Sequence, residues 1–267
     1  MAARPTAADV LKRLPAGPVQ LARAWLERLV AVQLVDRAVA LAGRAFTALI
    51  PLFIVYDTVV PQVNGRNFAE DVIDRFDLKG AAADSVRQAL APSGDVQQTL
   101  SVLGVLLVIV SALSFARALQ RLYEVAFGLE PLGGVRGTPS TLLWLALLPG
   151  FITAREVIGA IFPGVVGTVL SLTLAATLWT LTPFILLGWR LEWRRLVPTG
   201  LITAAAMSLL GVASLIWMPH TVSDSAQLYG VIGVAFALLS WLVAAGFVLV
   251  GCAAAGAVAG ERSWRAA

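Results

Sequence analysis

The chain has one cysteine, one histidine and little charge: 13% of its 267 residues are Asp, Glu, Lys or Arg. A lone cysteine, Cys252, leaves no internal disulfide and reads as a small packing residue. A lone histidine, His220, excludes a multi-histidine metal site. No Gly-Lys-Ser/Thr phosphate loop occurs, so the chain is not expected to hydrolyse ATP. No paired-carboxylate, multi-histidine or thiolate constellation points to a nuclease, and the basic residues are spread over short segments rather than an aromatic-studded groove. The expectation is a protein that is not an enzyme, needs no cofactor and metal, and does not bind nucleic acid.

What is present is apolar surface. Hydrophobic residues make up 58% of the chain, against 45–50% in ordinary soluble domains. They lie in long blocks, such as 99–116 and 164–189, with almost no charge. A block of about 18 residues or more is long enough to cross roughly 30 Å of hydrocarbon as a helix. The blocks are rich in Gly, Ala, Ser and Thr, which suits close-packed helices rather than the alternating strands of a membrane barrel. Within hydrocarbon every backbone polar group must be satisfied internally, and helices do that. The fold class is therefore all-α, a polytopic transmembrane helix bundle.

Residues 1–18 are Pro-, Ala- and Arg-rich and read as a poorly ordered N-terminus. No cleaved signal peptide is expected there. Residues 19–260 read as one transmembrane domain, and 261–267 as a C-terminal tail. Over 19–36, Leu21, Trp25, Leu29 and Val32 recur at helical spacing, which predicts an amphipathic helix lying in the membrane interface. Six spans are expected, at about 38–60, 99–116, 139–162, 164–189, 197–218 and 228–259. The last would make about 48 Å of helix and must tilt or project. The polar stretch 61–98 reads as a small helical extracytoplasmic segment closed by Pro92-Ser93-Gly94-Asp95.

Charge orients the bundle. Segments 1–37, 117–138, 190–196 and 260–267 hold 14 of the 20 Lys and Arg residues, while 61–98 holds four. By the positive-inside rule both termini are cytoplasmic. Trp189 and Trp193 flank Arg190 as an interfacial belt.

Four stretches resemble the YihY/BrkB family, once labelled ribonuclease BN. Leu228-Tyr229-Gly230-Val231-Ile232-Gly233, with Leu239-Ser240-Trp241-Leu242 and 246–251, is similar to its last span. Glu192 to Gly200 resembles its Trp-Arg…Pro-Gly lead-in to span five. Ser114 to Gln120 resembles the end of span two, and Ala45 to Leu52 the first span with its central proline. These stretches stand in order across about residues 20–258; Arg44 departs from the pattern, where a small or apolar residue is expected. The resemblance implies a bacterial inner-membrane protein of six spans, transporter-like or part of the envelope, without naming a substrate.

Candidate functional residues are few. Arg155 and Glu156 lie within a span, where charge is costly unless paired, snorkelling or facing water. They form either a gate or polar pathway, or a snorkelling pair near the interface. Arg44 has the same two readings, with an anionic headgroup or substrate as its partner in the functional one. Pro51 and Pro149 break spans; Gly230, Gly233, Gly246 and Gly251 are packing or hinge points. The acidic cluster Glu70, Asp71, Asp74 and Asp77 lacks the ligand alternation of a calcium loop and reads as a solvated helix face. Two functions follow: a transporter-like protein for a lipid or other amphipathic envelope molecule, or a non-transporting scaffold for envelope integrity. Expected partners are membrane lipids, with envelope proteins or a second copy as further options.

Overall fold

The computed structural model describes residues 18–59, 68–76, 78–89, 97–133 and 137–266. The expected N-terminal tail up to residue 17 and the Pro92–Asp95 closure lie outside the described residues, as do the side chains of Pro51, Asp71 and Asp77. Eight helices follow one another among the described residues: α1 (Pro18–Ala31), α2 (Leu34–Val59), α3 (Phe68–Phe76), α4 (Ala81–Ala89), α5 (Gln97–Ala126), α6 (Thr138–Ile161), α7 (Val165–Leu186) and α8 (Trp193–Ala266). No strand occurs among the described residues.

Four stretches of these helices are long and apolar enough to cross a membrane: Leu106–Ala126, Thr138–Ile161, Val165–Leu186 and Trp193–Glu261. The last is not straight. Gly230 leaves the helical region (φ 59°, ψ −135°), a conformation that suits a residue without a Cβ. The two arms then pack antiparallel. Trp241 Nε1 donates to Ser214 Oγ at 2.6 Å, Gly256 sits against Thr199, and Gly260 against the Arg195 carbonyl. Sequence alone puts a break at 219–227, but that stretch is helical through Pro219, and the reversal comes at Gly230.

Two further boundaries differ from expectation. The interfacial helix stops at Ala31, because Gln33 takes a left-handed conformation (φ 53°) before α2 begins. The second expected span continues well beyond residue 116, to Ala126. Its extra turns carry Arg117, Gln120, Arg121 and Glu124, which lie past the expected end of the span, and bury Leu119, Leu122 and Tyr123 between them.

Packing is tightest at one end of the bundle. Val32, Ala38, Leu119, Leu122, Leu186 and Leu196 join one buried cluster that draws on α2, α5, α7 and α8. Trp144 Nε1 donates to Thr182 Oγ1 at 3.1 Å and pins α6 to α7 there. α1 is tied across this end by an ion pair from Arg28 to Glu261 and by Trp25 Nε1 donating to the Gly251 carbonyl at 3.2 Å. Beyond Trp144 no residue of α6 is buried. Its apolar exposed side chains, including Leu142, Ile152, Val157 and Ile161, suit contact with lipid tails. At the opposite end α3 and α4 seat Ile73, Leu78 and Val86 on Met218, Val222 and Val234, around the bend of α8.

Candidate functional site: a basic cavity at the packed end

The last two turns of α5 build the site. Arg117, Gln120, Arg121, Glu124 and Val125 stand three and four residues apart, so they share one helix face. That face fronts an open cavity of about 340 Å³, lined also by Pro131, Leu132, Gly133 and Gly137 and by Arg37 of the first turn of α2. The volume is at the small end of the range for ligand pockets, about 300–1,000 Å³.

Glu124 organises one wall. It is 2% exposed, and its Oε1 accepts from Gln120 Nε2 at 3.1 Å, from the Leu132 amide at 2.8 Å and from Arg190 Nη2 at 3.3 Å. Arg190 in turn donates to the Glu130 carbonyl at 2.7 Å and the Leu187 carbonyl at 2.9 Å. It reaches this position because Gly188 and Trp189 both adopt positive φ after α7, turning the chain sharply. A buried carboxylate is tolerable only when paired and hydrogen-bonded, and this one is both. Gln120 extends the network to Thr141, whose hydroxyl lies 3.4 Å from Gln120 Oε1 and donates to the Gly137 carbonyl at 2.8 Å. A Cβ at Gly137 would lie 2.9 Å from Gln120 Nε2 and 3.3 Å from the Leu132 carbonyl oxygen, so it would push on the Gln120 amide.

The three cavity arginines are in a different state from Arg190. Arg117 donates to Thr138 Oγ1 at 3.0 Å, a neutral partner. Arg37 Nε is buried and has no hydrogen-bond partner among the described residues. Neither Arg37 nor Arg121 forms an ion pair with a carboxylate among the described residues. Among the described residues the cavity therefore carries three guanidiniums against one carboxylate that is already engaged.

The residues singled out from sequence lie elsewhere. Arg44 is half-buried on α2 and makes one long contact, 3.5 Å, to the Ala40 carbonyl. It does not line the cavity. Arg155 and Glu156 are both exposed on the part of α6 that packs on little else. Pro149 lies inside α6. The glycines divide into two kinds. A Cβ at Gly233 would collide with the Ser225 carbonyl, and one at Gly246 would lie 2.5 Å from the Ala38 carbonyl oxygen. Gly230 and Gly251 have open space, Gly230 serving the bend instead. Glu70 pairs with Arg87 at 2.9 Å, across α3 and α4. Among the described residues no group of three His, Cys, Asp or Glu is placed to hold a metal ion.

Sequence reading counted Arg37, Arg117, Arg121 and Arg190 only as orienting charges. The available signal was the run of arginines, Gln120 and Glu124 at helical spacing just before a Pro- and Gly-rich connector. A family model described as virulence factor BrkB matches residues 25–266, nearly the whole chain. No curated protein and no solved structure matches it.

Proposed function

The chain belongs to the virulence factor BrkB family, and we propose that it is a transporter-like membrane protein that moves or exposes an amphipathic molecule of the cell envelope. The observation that carries the proposal is the basic cavity, where Arg37, Arg117 and Arg121 face a common space beside apolar helices. An amphipathic cargo needs both: a polar site for its head and an apolar path for its tail. In this reading α2, α5, α6, α7 and the two arms of α8 are six spans of a bacterial inner membrane. Both termini and the cavity are cytoplasmic, α3 and α4 lie outside, and the protein does no catalysis. The arginine-rich segments around the cavity support that orientation.

The test is reconstitution of the full chain in liposomes holding a phospholipid with a fluorescent headgroup. A membrane-impermeant reductant bleaches the outer leaflet. Loss of more than half of the signal in protein-containing vesicles, against half in empty ones, is the expected result. A plateau at half in both would remove the transport reading. The second reading, a scaffold for envelope integrity, draws on the far end. There Leu228, Tyr229, Ile232 and Phe236 are exposed beside the α3–α4 cap, a surface on which another envelope protein or a second copy would dock.

A further inference from the structure

We infer that the cavity is a phosphate site, and that the cargo's polar head carries a phosphate group rather than a carboxylate. The inference rests on the transport reading for what the cargo does, but stands on its own for what the cavity binds. Four observations support it. First, the positive groups approach from two directions, Arg117 and Arg121 from α5 and Arg37 from α2. A planar carboxylate is satisfied by one guanidinium fork, whereas a tetrahedral phosphate accepts hydrogen bonds on several sides and rewards such a convergence. Second, α6 begins at the rim. Its N-cap is Gly137, which makes no side-chain cap, so the positive end of a 24-residue helix dipole lies at the cavity edge, although Pro139 in the first turn has no N–H to donate.

Third, Arg37 forms no ion pair among the described residues and its buried Nε finds no hydrogen-bond partner there, so the protein itself leaves this charge uncompensated. Fourth, the carboxylate that would otherwise neutralise the arginines is held away from them. Glu124 is engaged by Arg190, Gln120 and the Leu132 amide. Glu124 thus shapes the wall and keeps the cavity from closing on itself as an internal salt bridge. Two sources share this ligand chemistry: the headgroup of a phospholipid, and a soluble phosphate compound.

The experiment uses the detergent-purified full chain. Native mass spectrometry measures retention of phosphatidic acid and of oleate, the latter an amphiphile of similar tail with a carboxylate head. Calorimetric titration with inorganic phosphate measures the soluble arm. Arg121→Gln and Arg37→Gln are compared with Arg23→Gln, which removes a charge from an exposed pair with Glu27 on α1. Expected are preferential retention of phosphatidic acid over oleate and a drop of about tenfold or more in phosphate-ligand affinity for both cavity variants, with Arg23→Gln unchanged. A charge-assisted hydrogen bond is strong enough for such a loss. Retention of phosphatidic acid without heat from inorganic phosphate identifies a lipid head; binding of both identifies a site open to soluble phosphates. Either supports the phosphate site.

Equal retention of oleate and phosphatidic acid would overturn it, and so would undiminished binding by Arg121→Gln. That variant changes an exposed side chain, so it decides the question even if Arg37→Gln does not fold. Failure of the two readings can be told apart. Phosphate binding that needs Arg121 without lipid movement sinks transport and keeps the site. Lipid movement that is indifferent to Arg121 and Arg37, with no phosphate binding, does the reverse.

Discussion

Gly246 places the C-terminal arm of α8 directly against the backbone of the start of α2. A Cβ on it would lie 2.5 Å from the Ala38 carbonyl oxygen and 3.2 Å from Ala38 Cα. Reaching an ordinary contact requires the helices to part by about 1 Å. The obstacle is backbone, so no side-chain rotation relieves it. Overpacking a tight interior costs about 1–3 kcal/mol, and Gly→Ala returns at most about 1 kcal/mol of helix propensity. Gly246→Ala should therefore lose about 1–2 kcal/mol, or roughly 2–8 °C at 2–4 °C per kcal/mol for a chain of this size. Gly251 lies five residues on in the same helix with nothing within 4 Å of its missing Cβ. Gly251→Ala should be neutral or slightly stabilising. Fluorescence-detected thermal unfolding in one detergent compares the two directly. If both alanines shift the midpoint alike, close approach at Gly246 is not what sets its identity, and the packing argument fails.

Other consequences concern the cavity, the cap and the topology. Glu124→Ala strands the Leu132 amide and Arg190, and an unsatisfied buried donor costs about 1–3 kcal/mol; the lowered thermal midpoint should be partly restored by adding Arg190→Gln. Arg87 holds the Glu70 carboxyl below its usual pKa, first by hydrogen bond and then by charge. A carboxylate lowered in the folded state contributes stability above its unfolded pKa and loses it as pH falls through the folded one. Hydrogen-exchange protection over 68–89, corrected for the intrinsic rate at each pH, should therefore fall on acidification below the ordinary glutamate range, with a smaller pH response in Arg87→Gln. In a Cys252→Ala background, a cysteine at residue 84 should label from outside intact cells and one at residue 130 should not; the opposite pattern would invert the orientation.

The sequence by itself determined the class of the protein. Apolar runs longer than a bilayer is thick are met by helices across it, and their order along the chain and the motifs that carry the family resemblance are legible in one dimension. The charge asymmetry, also one-dimensional, suggested which way the bundle faces. Sequence periodicity could not decide where helices end when burial overrides polarity. Arg117, Arg121 and Glu124 lie past the expected end of the apolar run, yet they sit on the same helix, with Leu119, Leu122 and Tyr123 buried between them. Nor could it separate Gly246 from Gly251, since crowding depends on the neighbouring helix. The cavity is a tertiary fact of the same kind. Arg37 and Arg121 are 84 residues apart in number and share one space only because α2 and α5 pack side by side. Glu124 finds Arg190 only because the turn after α7 brings it back. Charges that count singly toward orientation line one cavity because folding brings them together.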